Sequence, residues 1–294
     1  MANTVLSVTE LANRAVDTLV QMRPLVETLD NSYVSAEMAM NKGETVNVPI
    51  PPTFTAADYD GSTLTTQDIN NSSVAVTLSN DVVVPISIPN REYAKSAIDF
   101  DKAVIVPIME AFVTKMDSGI LTAFDAGDTL TPIPESTSFT IAQLELGMAS
   151  LAGQKCPMTD LHCALSQADA SIARQIQAIY SQDVNRLNDN RQATVGKYAG
   201  IDIFGTTAID STGTATANWL YDSNFATVAM RPLDVQQSAG VEIGVATYKG
   251  MAITVTRQWD YATQAVKTVF RCLYGIKVLD GKRGIKIITD GSGD

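Results

Sequence analysis

The sequence is poor in the side chains on which most hydrolases and metal proteins depend. It holds one histidine, His162, and three cysteines, Cys156, Cys163 and Cys272. Any disulfide scheme leaves one thiol over, which fits free thiols in a reducing compartment. His162 and Cys163 are adjacent in a strand pattern, so their side chains point to opposite faces. A Ser-His-Asp or Cys-His site assembled by the fold stays open, and a soluble hydrolase using His162 is one reading of the chain. Cys156, His162 and Cys163 lack the paired spacing of a zinc site. No glycine-rich fingerprint follows a strand and opens a helix. The segment from Gly275 to Arg283 has the wrong spacing for a phosphate loop and no Ser or Thr after Lys282. Asp183 and Asn185 begin like a calcium loop, but Leu187 stands where an oxygen ligand is required. No catalytic residue, metal or cofactor is expected.

Positive charge is also scarce. Against 32 Asp and Glu there are 21 Lys and Arg, a net charge of -11, and the pI is about 4.5. A general nucleic-acid-binding surface, which needs a positive field, is excluded on that balance. The shortage is sharpest between Gly43 and Asn90, which hold no Lys or Arg but carry Glu44, Asp58, Asp60, Asp68 and Asp81. Near the C-terminus Lys277, Lys282, Arg283 and Lys286 form a small basic group, open to a polyanion, an acidic neighbour or plain solvent. No apolar run reaches the roughly 18 residues needed to span a membrane. The N-terminus lacks a basic region followed by an apolar one, so a soluble protein made in a cytoplasm is expected.

What the chain does have is length and patterning. Its 294 residues, 45% hydrophobic, have room for one large core or two subdomains. Ser7 to Glu27 has an amphipathic pattern with Val8, Leu11, Ala15, Leu19, Met22 and Val26 on one side, and Pro24 ends or bends it. The pattern suits both a helix docked on its own core and an arm reaching a neighbour. The longest helical periodicity runs from Arg91 to Phe124, with Tyr93, Ala97, Phe100, Val104, Ile108 and Ala111 on one face. Arg91, Lys95 and Lys102 line the opposite side. Pro107 marks a kink or break, and Val104 to Val113 is apolar almost all round, which predicts deep burial there.

Between the two helical stretches, Val46, Val48 and Ile50 alternate as in a strand, and about twenty residues without an apolar face follow. Val74, Val76 and Leu78 then alternate, as do Val82, Val84, Ile86 and Ile88 after a phase change near Ser79 to Asp81. Read as one bulged strand of roughly 16 residues, this predicts a protruding two-stranded arm that a partner would cover. Later, Thr140 and Gln143 predict a capped helix from Ile141 to about Ala152 with Gly153 as its stop. A strand is expected near Leu161 to Leu165. Ser166 and Asp169 cap a helix through Tyr180, with Ile172, Ile176 and Ile179 on one face. Gly196 and Gly200 mark a turn into a strand carrying Ile201 and Ile203. A long hairpin turns near Tyr261 to Gln264, and GIKIIT supplies a last strand.

This order of parts resembles that of tailed-bacteriophage major capsid proteins with the Hong Kong 97-type fold. The resemblance covers nearly the whole chain. TVGKYAGIDIFGTTAI resembles the family's glycine-containing turn and strand, and RQWDYATQAVKTVFRCLYGIKV its late strand, turn and strand, with Asp260 and Tyr261 at the turn. Among subfamilies the podovirus coat proteins without their inserted domain are the nearest. The resemblance implies an α+β fold with an N-terminal arm (1–42), an extended loop (43–90) and a peripheral domain with the spine helix (91–140 and about 225–272). It further implies an axial domain (141–224 and about 273–294).

It also implies hexamers and pentamers that close an icosahedral shell around double-stranded DNA, in a virion assembled in the host cytoplasm. A separate scaffolding protein, a portal and room for a decoration protein go with that reading, and packaged DNA is enclosed without sequence-specific binding. Crosslinking through a lysine of the extended loop is not expected, since 43–90 has none. Within this reading the acidic residues Glu44, Asp58, Asp60, Asp68 and Asp81 of one subunit are expected to meet Arg91, Lys95 and Lys102 of another. A solvent-facing helix side is the alternative for that stripe. An encapsulin-like compartment is the alternative use of the same fold.

Overall fold

The computed structural model describes residues 7–22, 25–29, 45–50, 72–89, 104–176, 194–210, 215–233, 240–248 and 251–290, with single positions 54, 56, 58, 66, 69 and 179. Among them are four α-helices and thirteen strands arranged in three sheets.

The chain opens with helix α1, Val8–Gln21, and a 3-10 turn, Leu25–Thr28. Of the apolar set read from the sequence, Val8, Leu11, Ala15, Leu19 and Val26 are all buried to 5% exposure or less, and Met22 is partly buried against them. Removing each such aliphatic side chain from water contributes about 1.5–3 kcal/mol. That burial holds α1 and the 3-10 turn to the chain's own core, which resolves the choice left open by the pattern. Pro24 lies outside the described residues.

Three strands follow: β1 (Thr45–Ile50), β2 (Ser72–Thr77) and β3 (Asn80–Pro89). The single 16-residue strand expected here is corrected to two. Strand β2 pairs antiparallel with β1, Val46 opposite Val76 and Val48 opposite Val74. Strand β3 leaves that ribbon after Leu78 and Ser79 and pairs with a strand about 190 residues later. The expected phase change is also corrected, since Val76, Leu78, Val82, Val84 and Ile86 all hold even positions; the two halves part in their partners, Val76 and Leu78 packing with Ala229 and Val82, Val84 and Ile86 on the larger core.

Helix α2, Val106–Gly127, is the described part of the spine and is about 33 Å long at 1.5 Å per residue. Arg91 to Ala103 lie outside the described residues, so the expected first half of the spine is not described. Pro107 sits in the first turn of α2, where a missing N–H costs no hydrogen bond. Two expectations need correcting. Ala111 is exposed together with Pro107 and Glu110, so the stretch 104–113 is not buried all round. The buried stripe instead follows Ile105, Ile108, Met109, Phe112, Met116, Ile120 and Phe124, because the opposite side of α2 has no element packed on it among the described residues. The helix also runs past Phe124 to Gly127, ending where Asp128 turns extended and donates its N–H to the Phe124 carbonyl at 2.9 Å.

Beyond it come β4 (Ile133–Ser136), helix α3 (Ile141–Gly153), β5 (Leu161–Leu165) and helix α4 (Gln167–Ala173). The Thr140–Gln143 capping box forms with both reciprocal hydrogen bonds. Gly153 is the last helical residue, and a left-handed residue, Lys155 at φ 61°, follows two positions later. Helix α4 stops at Ala173, short of the expected Tyr180, although Ile176 and Ile179 still pack on the same core. The remaining strands are β6 (Thr194–Tyr198), β7 (Ile201–Gly205), β8 (Thr216–Asp222), β9 (Ala226–Arg231), β10 (Val241–Tyr248), β11 (Met251–Asp260), β12 (Ala265–Val278) and β13 (Gly284–Thr289). The β6–β7 hairpin turns through Ala199 (φ 48°) and Gly200 (φ 89°), two left-handed residues that suit the strand twist.

Two sheets frame α2. One runs β10-β11-β12-β3, with β9 pairing the far end of β12; the other runs β4-β13-β8-β5-β7-β6. Residues alternate across the six-stranded sheet. Cys163, Leu165, Ile203, Leu220, Ile285 and Ile287 face α3 and α4 in one core, and Ala164, Trp219 and Tyr221 face α2 in the larger core. Phe124 of α2 meets Trp219, Tyr221 and Phe225 edge-on at centroid distances of 5.4, 5.1 and 4.9 Å. Asp169 Oδ2, buried at the start of α4, accepts from Asn218 Nδ2 and Thr289 Oγ1, each at 2.7 Å, tying α4 to two strands of the sheet.

Candidate functional site

The root of the β1–β2 ribbon is where a projecting element meets the body of the molecule. Val48, Val76 and Leu78 are buried there with Ala229 of β9, and Leu273 and Leu279 pack against them. The ribbon comes so close to β12 that a Cβ added at Gly275 would stand 2.2 Å from the Thr77 carbonyl oxygen. Only glycine admits the backbone to that distance. Farther out, Phe54 and Ile69 are 59% and 70% exposed. These are large apolar side chains on the longest stretch without a basic residue, and a chain gains nothing by holding them in water.

The charged residues expected to bridge two subunits divide three ways. Arg91, Lys95, Lys102, Glu44, Asp60 and Asp68 lie outside the described residues. Asp58 is described and exposed. Asp81, at the start of β3, is engaged within its own chain: both its oxygens accept from Arg271 Nε of β12, at 2.8 and 3.0 Å, and Arg271 Nη2 adds a third contact. The guanidinium holds the Asp81 carboxyl below the ordinary carboxylate range. Arg271 was missed by sequence reasoning because its partner is 190 positions away and the strand register alone brings them together.

The C-terminal basic group is partly consumed as well. Arg283 Nη1 donates to buried Asp222 at 2.7 Å. Lys286 reaches Asp125 at 2.6 Å while its Nζ stands 5.3 Å from the centre of the Trp219 ring. Lys277 and Lys282 remain on the exposed side. Of the open choices for this group, internal pairing accounts for Arg283 and Lys286.

His162 Nε2 lies 3.2 Å from Ser223 Oγ, and Ser223 Oγ donates to the Asp160 carbonyl at 3.3 Å. His162 Nδ1 is buried without a hydrogen-bond partner among the described residues. A general base of the Ser-His-Asp kind needs that nitrogen held by an acceptor, which fixes the tautomer and stabilises the cation. Burial pushes the imidazole pKa down, and the more distant Asp202, Asp160 and Asp222 oppose it. Cys156, Cys163 and Cys272 are free and buried, and burial pushes the Cys156 thiol up to about 11 and Cys272 to about 12. No thiolate nucleophile arises from such environments. Among the described residues no group of three His, Cys, Asp or Glu is placed to hold a metal ion, and no helix is long and apolar enough to cross a membrane.

No family model matches the chain, and no curated protein matches it in sequence. Solved structures do. A structure from Mycobacterium phage Che8 aligns with a TM-score of 0.61 at 14% identity, covering 91% of this chain and 90% of that one. The capsid asymmetric unit of cyanophage Pam1 aligns at 0.59 and 11% identity, over 100% of this chain and 96% of that one. A virus-like particle from Pyrococcus furiosus aligns at 0.53 and 11% identity, over 96% and 100%. The mixed helix-and-sheet fold of this chain thus matches the Hong Kong 97-like fold of phage capsid structures.

Proposed function

We propose that this chain is a non-enzymatic major capsid protein of a tailed phage, which self-assembles as hexamers and pentamers into an icosahedral shell around double-stranded DNA. The observation that carries the reading is the end-to-end match to capsid subunits, in which nearly the full length of each partner is used. Function follows from repetition. Exposed Phe54 and Ile69 stand in water on a lone subunit, but on a neighbour they form one of many modest contacts that a closed shell makes at once. The acidic balance suits a container that holds DNA without gripping it.

The domain division proposed for the shell is a peripheral unit of residues 91–140 and about 225–272 and an axial unit of 141–224 and about 273–294. In support, five of the six strands of the six-stranded sheet fall in the axial ranges, at 161–165, 194–198, 201–205, 216–222 and 284–289, while the edge strand at 133–136 comes from the peripheral range. A separate scaffolding protein, a portal and a decoration protein belong to the same proposal, as does assembly in the host cytoplasm.

Glu44, Asp58, Asp60 and Asp68 are the acidic side chains proposed to meet Arg91, Lys95 and Lys102 of a neighbour, with Asp81 contributing less because Arg271 already holds it. Exposed pairs contribute about 0–1 kcal/mol each, so they set register while apolar contacts supply affinity. Reversing Lys95→Glu and Lys102→Glu together is expected to block or slow shell formation at low ionic strength, read by light scattering. Normal assembly of the double variant at low salt removes this pairing from the account.

The alternative use of the fold, an encapsulin-like compartment, draws support from the Pyrococcus furiosus particle. Phage shells purified from infected cells carry nucleic acid, whereas a compartment carries protein cargo, so the ratio of absorbance at 260 and 280 nm separates the two.

A further inference from the structure

The spine helix carries one charged group that the shell reading leaves unused. Asp117 is 4% exposed on the buried face of α2, between Met116 and Ile120. Its Oδ1 accepts the backbone N–H of Leu25 at 2.9 Å, from the 3-10 turn 92 residues earlier. Its Oδ2 accepts the Thr206 hydroxyl, just beyond β7, at 3.4 Å. The same turn is fastened again by a 2.7 Å hydrogen bond between Thr28 Oγ1 and the Tyr221 hydroxyl. The rest of the contact is apolar, made by Leu11, Leu19, Leu25 and Val26. The titratable groups that sense Asp117 are the phenols of Tyr221 on β8 and Tyr274 on β12, both kept neutral by burial. Among the described residues, no cation enters the causes that set the Asp117 charge state.

We infer that Asp117 is a proton-controlled latch on the N-terminal segment Val8–Leu29. With the carboxyl neutral, the segment seats against α2; ionisation in this dry site favours release, which exposes the carboxylate to water. The Leu25 N–H and the Thr206 hydroxyl soften that cost without cancelling it.

Burial raises the Asp117 pKa from 3.8 to about 7 in the docked state, with the two hydrogen bonds pulling the other way. Once released, the carboxyl returns to the ordinary value. Below about pH 3 it is neutral in both states and the latch is fully closed. As pH rises toward 7 the released form sheds its proton first, and release becomes progressively easier. Above about 8 both forms are ionised and the effect levels off. Between pH 5.5 and 8 the release equilibrium shifts on the order of thirty-fold.

The latch depends on the docked geometry alone, so its failure would leave the shell reading standing. The test is hydrogen exchange read by mass spectrometry on the full chain at pH 5.5 and 8, with protection corrected for intrinsic exchange and one assembly state verified by light scattering. In the wild type, protection of peptides within 8–29 is expected to fall about thirty-fold, while peptides within 216–231 hold. In Asp117→Asn, whose amide oxygen still accepts from Leu25, the fall is expected to vanish. Equal falls in both proteins, no fall in the wild type, or a fall shared by 216–231 each overturn the latch. If Asp117→Asn does not fold, Thr206→Val replaces it: loss of the hydroxyl moves the fall to higher pH, and an unmoved midpoint overturns the proposal.

Discussion

Phe124→Ala is expected to lower the stability of the subunit by about 3–5 kcal/mol, the range for deleting a buried aromatic ring. Phe124 is fully buried and is the residue through which α2 grips the six-stranded sheet. Three rings close on it edge-on, from Trp219 and Tyr221 of β8 and from Phe225 just beyond, all within 5.4 Å of its centroid. Each such pair adds roughly 0.5–1.5 kcal/mol beyond its buried area. Collapse into the gap is resisted by Lys286, which stands 5.3 Å from the Trp219 ring centre and is itself paired with Asp125. Against a typical domain stability of about 5–15 kcal/mol, this is roughly a fifth of the total or more. Urea denaturation should show a lower midpoint with an unchanged slope. A loss under about 1 kcal/mol would mean that the spine is held to the sheet by something other than this cluster.

The second large effect falls on assembly. Gly275→Val is expected to abolish shell formation while leaving the two main cores folded. The added Cβ would stand 2.2 Å from the Thr77 oxygen, 2.8 Å from its carbonyl carbon and 3.2 Å from the Leu78 Cα. All three are backbone atoms, so no side-chain rotation relieves the clash. Overpacking costs about 1–3 kcal/mol in a core. Here the cheapest relief is to lift the ribbon root off β12, breaking the cluster of Val48, Val76 and Leu78 on Ala229. The ribbon would then point in no fixed direction. Proteolysis between residues 51 and 71 should accelerate, far-ultraviolet circular dichroism should be nearly unchanged, and shells should not form. Normal shell yield from this variant would show that the orientation of the ribbon is irrelevant to assembly.

Much of this architecture is legible in the sequence because the relevant signals are local. A capping box needs only Thr140 and Gln143, a hairpin only two alternating runs around Tyr261 to Gln264, and an amphipathic first helix only the spacing of Val8, Leu11, Ala15 and Leu19. What was misread depends on partners distant in the chain. Alternation in 72–89 keeps one parity whether one strand or two is present, and only the polar break at Ser79 to Asp81 marks that β2 joins β1 while β3 joins β12. Ala111 shares the apolar character of the buried stripe, but nothing in its own neighbourhood says that the sheets lie on the other side of α2. Gly275 reads as an ordinary strand glycine until the Thr77 backbone is seen against it. Asp117 did leave a trace, as an acidic residue on the apolar face set by Phe112, Met116 and Ile120. Its meaning required Leu25 and Thr206, which lie 92 and 89 positions away.

The central claim is that the chain builds closed shells by itself or with a scaffold, and electron microscopy of the purified, expressed protein tests it most directly. The account predicts uniform icosahedral particles made of hexamers and pentamers, either spontaneously or on co-expression of a scaffolding protein. A population that stays monomeric at high concentration under both conditions would contradict it.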